Sequence, residues 1–252
     1  YLNSHNKKKS GDDVIGGLFK FKYKNHLVFF DVGSPPKKSF SKRYQSGPLS
    51  FEYFLDGTKI ISNSGFGNYI SNKAELLSRL TACQSTLTLN DTSVSEFERN
   101  KLINKIFGHS IKNTFKTYIV NIKNEQNLIC CSAEHNGYEK NFSCIHKREI
   151  FLNKENNYLK GSDNILKKKD GIPIRYAFRF YINPELTVVK TMSGNSALIQ
   201  ITKNKSLIFT VNNESLEIEK SIFFGGKKMI DNACITISGN LVNKNKSINW
   251  EI

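Results

Sequence analysis

No apolar run in this 252-residue chain approaches the roughly 18 residues that a membrane-crossing helix needs. The longest are short, such as Leu27-Val28-Phe29-Phe30 and Ile222-Phe223-Phe224, which excludes a transmembrane helix. Five prolines and no Gly-X-Y period exclude collagen. There is no CxxC pair among the five cysteines, and without one a zinc ribbon or thioredoxin-type site fails. P-loop, GxGxxG, HExxH, GxSxG and EF-hand patterns are absent too. The opening Tyr1-Leu2-Asn3-Ser4-His5-Asn6 has neither the charged nor the apolar region of a secretory leader. Such a start predicts a processed product or a piece of something longer.

What is present suits a packed domain. Hydrophobic residues make up 38% and aromatics 12%, too many for a disordered chain. Lys and Arg outnumber Asp and Glu by 37 to 22, a net charge of +15. Asn and Lys both have A-rich codons, so an AT-rich genome accounts for part of that excess. Runs such as Lys7-Lys8-Lys9, Lys37-Lys38, Lys167-Lys168-Lys169 and Lys227-Lys228 fall where turns are expected, and solvated lysine is the ordinary reading there. A basic surface attracts polyanions. Nucleic acid is the weaker choice, because no recognisable nucleic-acid fold and no stacking motif occurs.

The pattern is β almost throughout. Leu18 to Lys24 alternates apolar and basic residues, and Asn25 supplies a turn before a hairpin partner at His26 to Asp31. Alternation recurs at 85–89, 117–122, 196–202, 206–211, 215–218 and 233–238. Turn signals separate these runs: Asp56-Gly57, Asn136-Gly137, Asp170-Gly171, Asn212-Asn213, Gly225-Gly226 and Gly239-Asn240. Close-spaced strands without βαβ alternation predict an all-β fold, a large antiparallel sandwich with at most one short helix. The helix, or an irregular excursion, is expected over Asp91 to Phe107, with Ser95 as N-cap. Residues 1–13 read as a linker and 14–252 as the sandwich. The cysteines read as buried free thiols, with one long-range disulfide left open.

Five histidines limit acid–base chemistry. His135 and His146 lie on consecutive expected strands around Asn136-Gly137 and would face each other if those strands pair. The plainer reading is a polar pair on a solvated face.

Three segments in order then carry a resemblance. They are Gln45-Ser46-Gly47-Pro48-Leu49-Ser50-Phe51, Ile60-Ile61-Ser62-Asn63-Ser64-Gly65 and Arg79-Leu80-Thr81-Ala82-Cys83-Gln84-Ser85-Thr86-Leu87. Together they resemble the β-sandwich half of the heparinase II/III family. There a His is followed six residues later by Phe, an apolar strand ends in Asp-Ser-Gly, and a strand reads Arg-x-Thr-Ala-x-His-Asn-Thr. Glu134 to Tyr138, His146-Lys147-Arg148 and Arg179 to Pro184 extend the likeness over roughly residues 15 to 250.

The resemblance implies a polysaccharide lyase acting by β-elimination on an acidic polysaccharide, in the periplasm or cell envelope. It implies as partner an N-terminal helical α/α-toroid domain carrying much of the catalytic machinery. It also implies a zinc centre built from a His, an Asp and a His. Here those positions are Gln45, Asn63 and Gln84, neutral amides that make poor zinc ligands, so no metal or other cofactor is expected. Gln45, Asn63, Arg79, Gln84, Tyr138, Arg148 and Arg179 are the expected substrate contacts, and His135 or His146 the expected acid–base group. The Arg residues suit carboxylate or sulfate because a guanidinium fork meets such groups bidentately; a strand-surface ion pair is the alternative for each. The loss of the metal set leaves a second possibility, a catalytically degenerate module that binds glycan or serves structurally.

Overall fold

Alternating residues of the strands point alternately at solvent and at a shared interior, and that alternation builds two antiparallel sheets packed face to face. The computed structural model describes residues 13–100, 102–104, 108–169, 171–242 and 245–252. The first sheet contains β1 (Asp13–Ile15), β2 (Leu18–Tyr23), β3 (His26–Asp31), β4 (Phe51–Leu55), β5 (Thr58–Ser62) and β6 (Leu87–Leu89). The second takes β7 (Thr117–Asn124), β8 (Leu128–His135), β9 (Cys144–Asn153) and β10 (Tyr158–Lys167). β11 (Ile174–Ile182) returns to the first, while β12 (Thr187–Lys190), β13 (Ser196–Thr202) and β14 (Lys205–Val211) extend the second. β15 (Glu217–Gly225) and β16 (Lys228–Leu241) close the first sheet, and β17 (Lys246–Glu251) inserts into the second.

The first sheet runs β1-β2-β3-β4-β5-β11-β16-β15, with β6 also paired to β11. The second runs β12-β13-β14-β17-β10-β9-β8-β7. The all-β antiparallel sandwich expected from the alternation is therefore present. The hairpin of β2 and β3 forms about Asn25, with Tyr23 opposite His26.

The interior is aromatic and aliphatic. Phe19, Phe21, Val28, Phe30 and Phe51 from the first sheet meet Ile150, Leu152, Leu159, Phe209 and Ile248 from the second. Burying one such side chain contributes ~1.5–3 kcal/mol. That surplus lets the core tolerate a polar insertion. The inward row of β9 reads Cys144, His146, Arg148, Ile150, Leu152, and that of β10 reads Leu159, Gly161, Asp163, Ile165. Gly161 lies across from Trp250, and a Cβ there would stand 2.0 Å from the indole. The missing side chain is what lets the only tryptophan lie over β10.

Some local expectations are corrected. The seven-residue helix is Asn72–Ser78, N-capped by Ser71, whose hydroxyl accepts from the Ala74 N–H. Over 91–107 the described residues are largely irregular, one of the two expectations for this stretch, and only Ser95 as a cap is corrected. The helical stretch at 102–104 is capped by Asn100, whose Oδ1 accepts from the N–H groups of Leu102 and Ile103. The turn expected at Asn136-Gly137 is present, closed by Glu139 N–H donating to Asn136 O, and leads into a short helix, Glu139–Phe142. Gly239-Asn240 lies inside β16, where Gly239 makes room for the Tyr176 side chain, whose hydroxyl is 2.6 Å from where its Cβ would be. All five cysteines are free, Cys83 half-buried and the rest buried. The linker expected over 1–13 lies outside the described residues except for Asp13, where β1 begins.

Candidate functional site

The chain between β5 and β7 and the loop before β4 carry four of the residues singled out by sequence, Gln45, Asn63, Arg79 and Gln84. Gln45 opens the loop 45–50, Asn63 follows β5 directly, and Gln84 follows the single turn Thr81–Cys83. Hydrogen bonds fasten these segments to one another. Ser46 N–H donates to Arg79 O, and Thr86 Oγ1 donates to Pro48 O. Ser85 N–H donates to Asn63 Oδ1 (2.8 Å), while its hydroxyl donates to Ser62 O and accepts from Tyr181 N–H. Gln84 Nε2 donates to Ser78 O (2.9 Å) and, at 3.5 Å, to Gln45 Oε1. The three amides are thus neighbours.

They line one side of a cleft of about 400 Å³ on the outer face of the first sheet. Its other walls are Leu18, Asp31, Phe29 and Glu52, with Gly47, Ser50 and Phe51 completing it. The strands explain the grouping, since Leu18 lies across from Asp31 and Phe29 across from Glu52. Asp31 Oδ1 accepts from Gly33 N–H, and burial raises the carboxyl to about 7. Glu52 is paired with Lys59 at 2.8 Å. Sequence reasoning passed over Asp31 and Glu52; the signal available was an acid closing the apolar run Leu27 to Phe30.

Beneath the cleft lies the polar core. Arg148 Nε and Nη2 reach Asp163 at 2.7 and 3.0 Å. Its Nη1 donates to Leu49 O and Ser85 O, both at 2.7 Å. One buried guanidinium therefore ties the loop of Gln45 to the segment of Gln84. Leu49 holds φ at 59°, a strained value for a side-chain-bearing residue, with its carbonyl taken by Arg148. Asp163 also accepts from His146 Nε2 (2.7 Å) and Trp250 Nε1 (2.9 Å). Burial alone would raise its carboxyl, but Arg148 and then His146 outweigh that and bring it to about 2.

This arrangement reassigns several expected contacts. Arg148, His135 and His146 have no exposed surface, and Tyr138 has 1%; none meets solvent. His135 and His146 do pair across β8 and β9, with ring centroids 5.3 Å apart and perpendicular. The pair faces the core, however, and not a solvated face. Burial lowers the pKa of both, His135 well below the usual value. Tyr138 Oη donates to Leu87 O. Arg79, also fully buried, donates to Tyr44 O and Ser41 O and lies over the Phe97 ring at 4.3 Å. Burial lowers its guanidinium to about 10, still charged at neutral pH. Arg79 and Arg148 are thus internal braces, each holding backbone carbonyls. Arg179 lies on the outer face of β11, bonded to Thr88 Oγ1 and 3.5 Å from Asp91, which also pairs with Arg175. That is the strand-surface ion pair.

Zinc does not fit the three amides. Asn63 Oδ1 is already engaged by Ser85 N–H and Gln45 Oε1 by Gln84, and none of the three can be deprotonated near neutral pH. Among the described residues no cluster of three or more His, Cys, Asp or Glu could hold a metal ion. No described helix is long and apolar enough to cross a membrane.

A family described as heparinase II/III-like, C-terminal, matches residues 7–251. Among solved structures, the heparan sulfate lyase HepC from Pedobacter heparinus superposes with a TM-score of 0.74 at 15% identity, covering 94% of this chain and 35% of that one. A heparinase III superposes with a TM-score of 0.69 at 12% identity, over 93% of this chain and 34% of the other. At such identities the likeness is one of fold. The chain spans about a third of the length of these structures. Comparison with curated proteins finds no match.

Proposed function

The chain belongs to the heparinase II/III-like C-terminal family, and from that premise we propose that it is the β-sandwich domain of a polysaccharide lyase acting by β-elimination on uronate-containing polysaccharide. In that reaction a base removes the C5 proton of the uronate, the bond from C4 to its oxygen breaks, C4 and C5 become doubly bonded, and the departing oxygen takes up a proton. In this reading the sandwich grips the glycan, the base comes from a helical domain of the same protein, and the enzyme works in the cell envelope.

The observation that carries the division of labour is the state of the histidines. His26, His135 and His146 are buried, and His109 is half-buried with Nδ1 bonded to Glu98 O. A general base must come within hydrogen-bond reach of the proton it removes, and among the described residues no histidine is free at the surface. The test is to incubate the isolated chain with several uronate polysaccharides, following ultraviolet absorbance of the unsaturated product and retention of the chain on immobilised glycan. Retention without product is expected. Robust product formation by the isolated chain would overturn the assignment of the base to another domain.

The amide replacement of the metal set favours a second reading, in which the protein binds glycan without cleaving it. It predicts no turnover even by the protein from the complete reading frame, and robust turnover there rules it out.

A further inference from the structure

We propose that the cleft of Gln45, Asn63 and Gln84 is a subsite for an uncharged, hydroxyl-bearing sugar unit, and that it rejects uronate and sulfated units. The inference rests on the polysaccharide reading above and deepens it by assigning one position of the chain.

The polar inventory comes first. Gln84 is 2% exposed, and both hydrogens of its Nε2 are placed on Ser78 O and Gln45 Oε1, so its Oε1 remains without a partner among the described residues. Asn63 uses Oδ1 on Ser85 N–H, and its Nδ2 has no partner among the described residues. Gln45 likewise uses Oε1 and keeps Nε2. One acceptor and two amide donors are thus left over in a single cleft. A sugar hydroxyl both donates and accepts, and two adjacent hydroxyls can satisfy such a set together.

The apolar inventory points the same way. Phe29 and Leu18 stand on the outer face of the sheet and supply a flat wall for the C–H face of a pyranose. Phe29 is fixed edge-on by Phe54, with ring centroids 6.1 Å apart. A volume of about 400 Å³ lies in the lower part of the range of small-molecule sites, ~300–1,000 Å³.

Charge supplies the discrimination. Asp31 and Glu52 line the cleft and no Lys or Arg does. Lys59 is engaged by Glu52, and Lys20 holds its ammonium 6.0 Å from the Phe29 ring. A uronate or sulfate would enter beside Glu52, already paired with Lys59, and Asp31, whose carboxyl becomes charged only as pH rises through about 7. With no guanidinium or ammonium among the described lining residues to meet the anion, the growing charge of Asp31 adds like-charge repulsion to the missing partner. The backbone holds the geometry tightly. A Cβ on Gly47 would come within 2.8 Å of Ser50 Oγ and 3.0 Å of Gln84 Cγ.

The experiment is a titration of the full 252-residue chain, labelled with nitrogen-15, with N-acetylglucosamine, glucuronate and inorganic sulfate in turn. The side-chain amide resonances of Gln45, Asn63 and Gln84 should shift saturably with N-acetylglucosamine and stay put with the two anions. Asn63→Ala should weaken binding about tenfold, the worth of one hydrogen bond. Gln45→Ala, which removes only a 3.5 Å contact from the fold, should do likewise without altering the circular dichroism spectrum. Asn63→Asp should weaken it as well. Amide shifts as large with glucuronate or sulfate, no shift with N-acetylglucosamine, or wild-type affinity in both alanine variants would each overturn the proposal. Immobilised polysaccharide separates the two readings. Retention of the chain with silent amides overturns this subsite alone, whereas amide shifts without retention count against the polysaccharide function.

Discussion

Replacing Arg148 by Met removes the group that ties the second sheet to both site loops. Its fork satisfies both oxygens of Asp163, and its remaining nitrogen holds Leu49 O and Ser85 O. Taking away one partner of a buried ion pair costs about 3–5 kcal/mol, because the other charge stays buried and uncompensated. The two orphaned carbonyls add roughly 1 kcal/mol each. Set against a total stability of ~5–15 kcal/mol, this is a third or more of the whole. The assay is urea unfolding followed by fluorescence of Trp250, the only tryptophan, whose indole donates to the same Asp163. Lys190→Met, which breaks the exposed pair with Glu217, should cost less than ~1 kcal/mol and serves as control. If Arg148→Met does not fold, Arg148→Lys keeps the charge, loses the fork and should be intermediate. Adding Asp163→Asn to Arg148→Met should recover part of the loss, since it removes the stranded charge. A loss in Arg148→Met no larger than in Lys190→Met refutes the reasoning.

Acid should unfold the domain partly through Asp163. Its carboxyl titrates at about 2 when folded against 3.8 in a free chain, so its contribution is complete above about pH 4 and disappears as pH falls toward 2; Asp163→Asn should flatten the urea midpoint over that window. Asp31 has the opposite sign. Raised to about 7, it holds its proton longer in the folded state, so stability declines as pH rises from about 4 to 7, and Asp31→Asn should narrow the difference between midpoints at pH 5 and pH 8. Protein prepared with added zinc should carry none by elemental analysis at the amide site; one equivalent that disappears with Gln45→Ala or Gln84→Ala would contradict the fit argued above. Ser85→Ala should cost about 1–3 kcal/mol by leaving Ser62 O and Tyr181 N–H unpaired, and a stability change below ~0.5 kcal/mol would show those bonds to be dispensable.

Strand alternation made most of the sheets legible, because period-two patterning reports which face is buried whatever the neighbours are. It was weakest in β9 and β10, whose inward rows contain His146, Arg148 and Asp163. Charged residues at alternate positions read as a solvated face, and only their mutual pairing across the register Arg148 to Asp163 shows otherwise. His135, His146, Arg148 and Tyr138 were site candidates through the family resemblance, and their burial places them in the interior. The helix Asn72–Ser78 went unseen because seven residues give too short a period, although Ser71 followed three residues later by Ala74 and four later by Glu75 marks its start. The three amides, by contrast, were found through the family resemblance of the three segments that carry them. In the structure Gln84 bonds to Gln45 and to the helix end at Ser78, and Asn63, held by Ser85 N–H, lines the same cleft.

A metal bound by three loops does two things at once: it supplies charge, and it cross-links the loops. Three neutral amides supply no charge, so a cross-link between their loops has to come from elsewhere. Here it comes from below and from the side. Arg148 joins Leu49 to Ser85 through carbonyls, Thr86 holds Pro48, and Ser85 holds Ser62 and Asn63. Each of these bonds involves backbone on at least one end, so it fixes where the segments lie without using up the outward-facing halves of the amides. Two donors and one acceptor stay available in a cleft whose shape the core ion pair maintains. The polar core that hid the fold's inward rows from sequence reading is, for the same physical reason, what fastens the loops that carry the amide cleft.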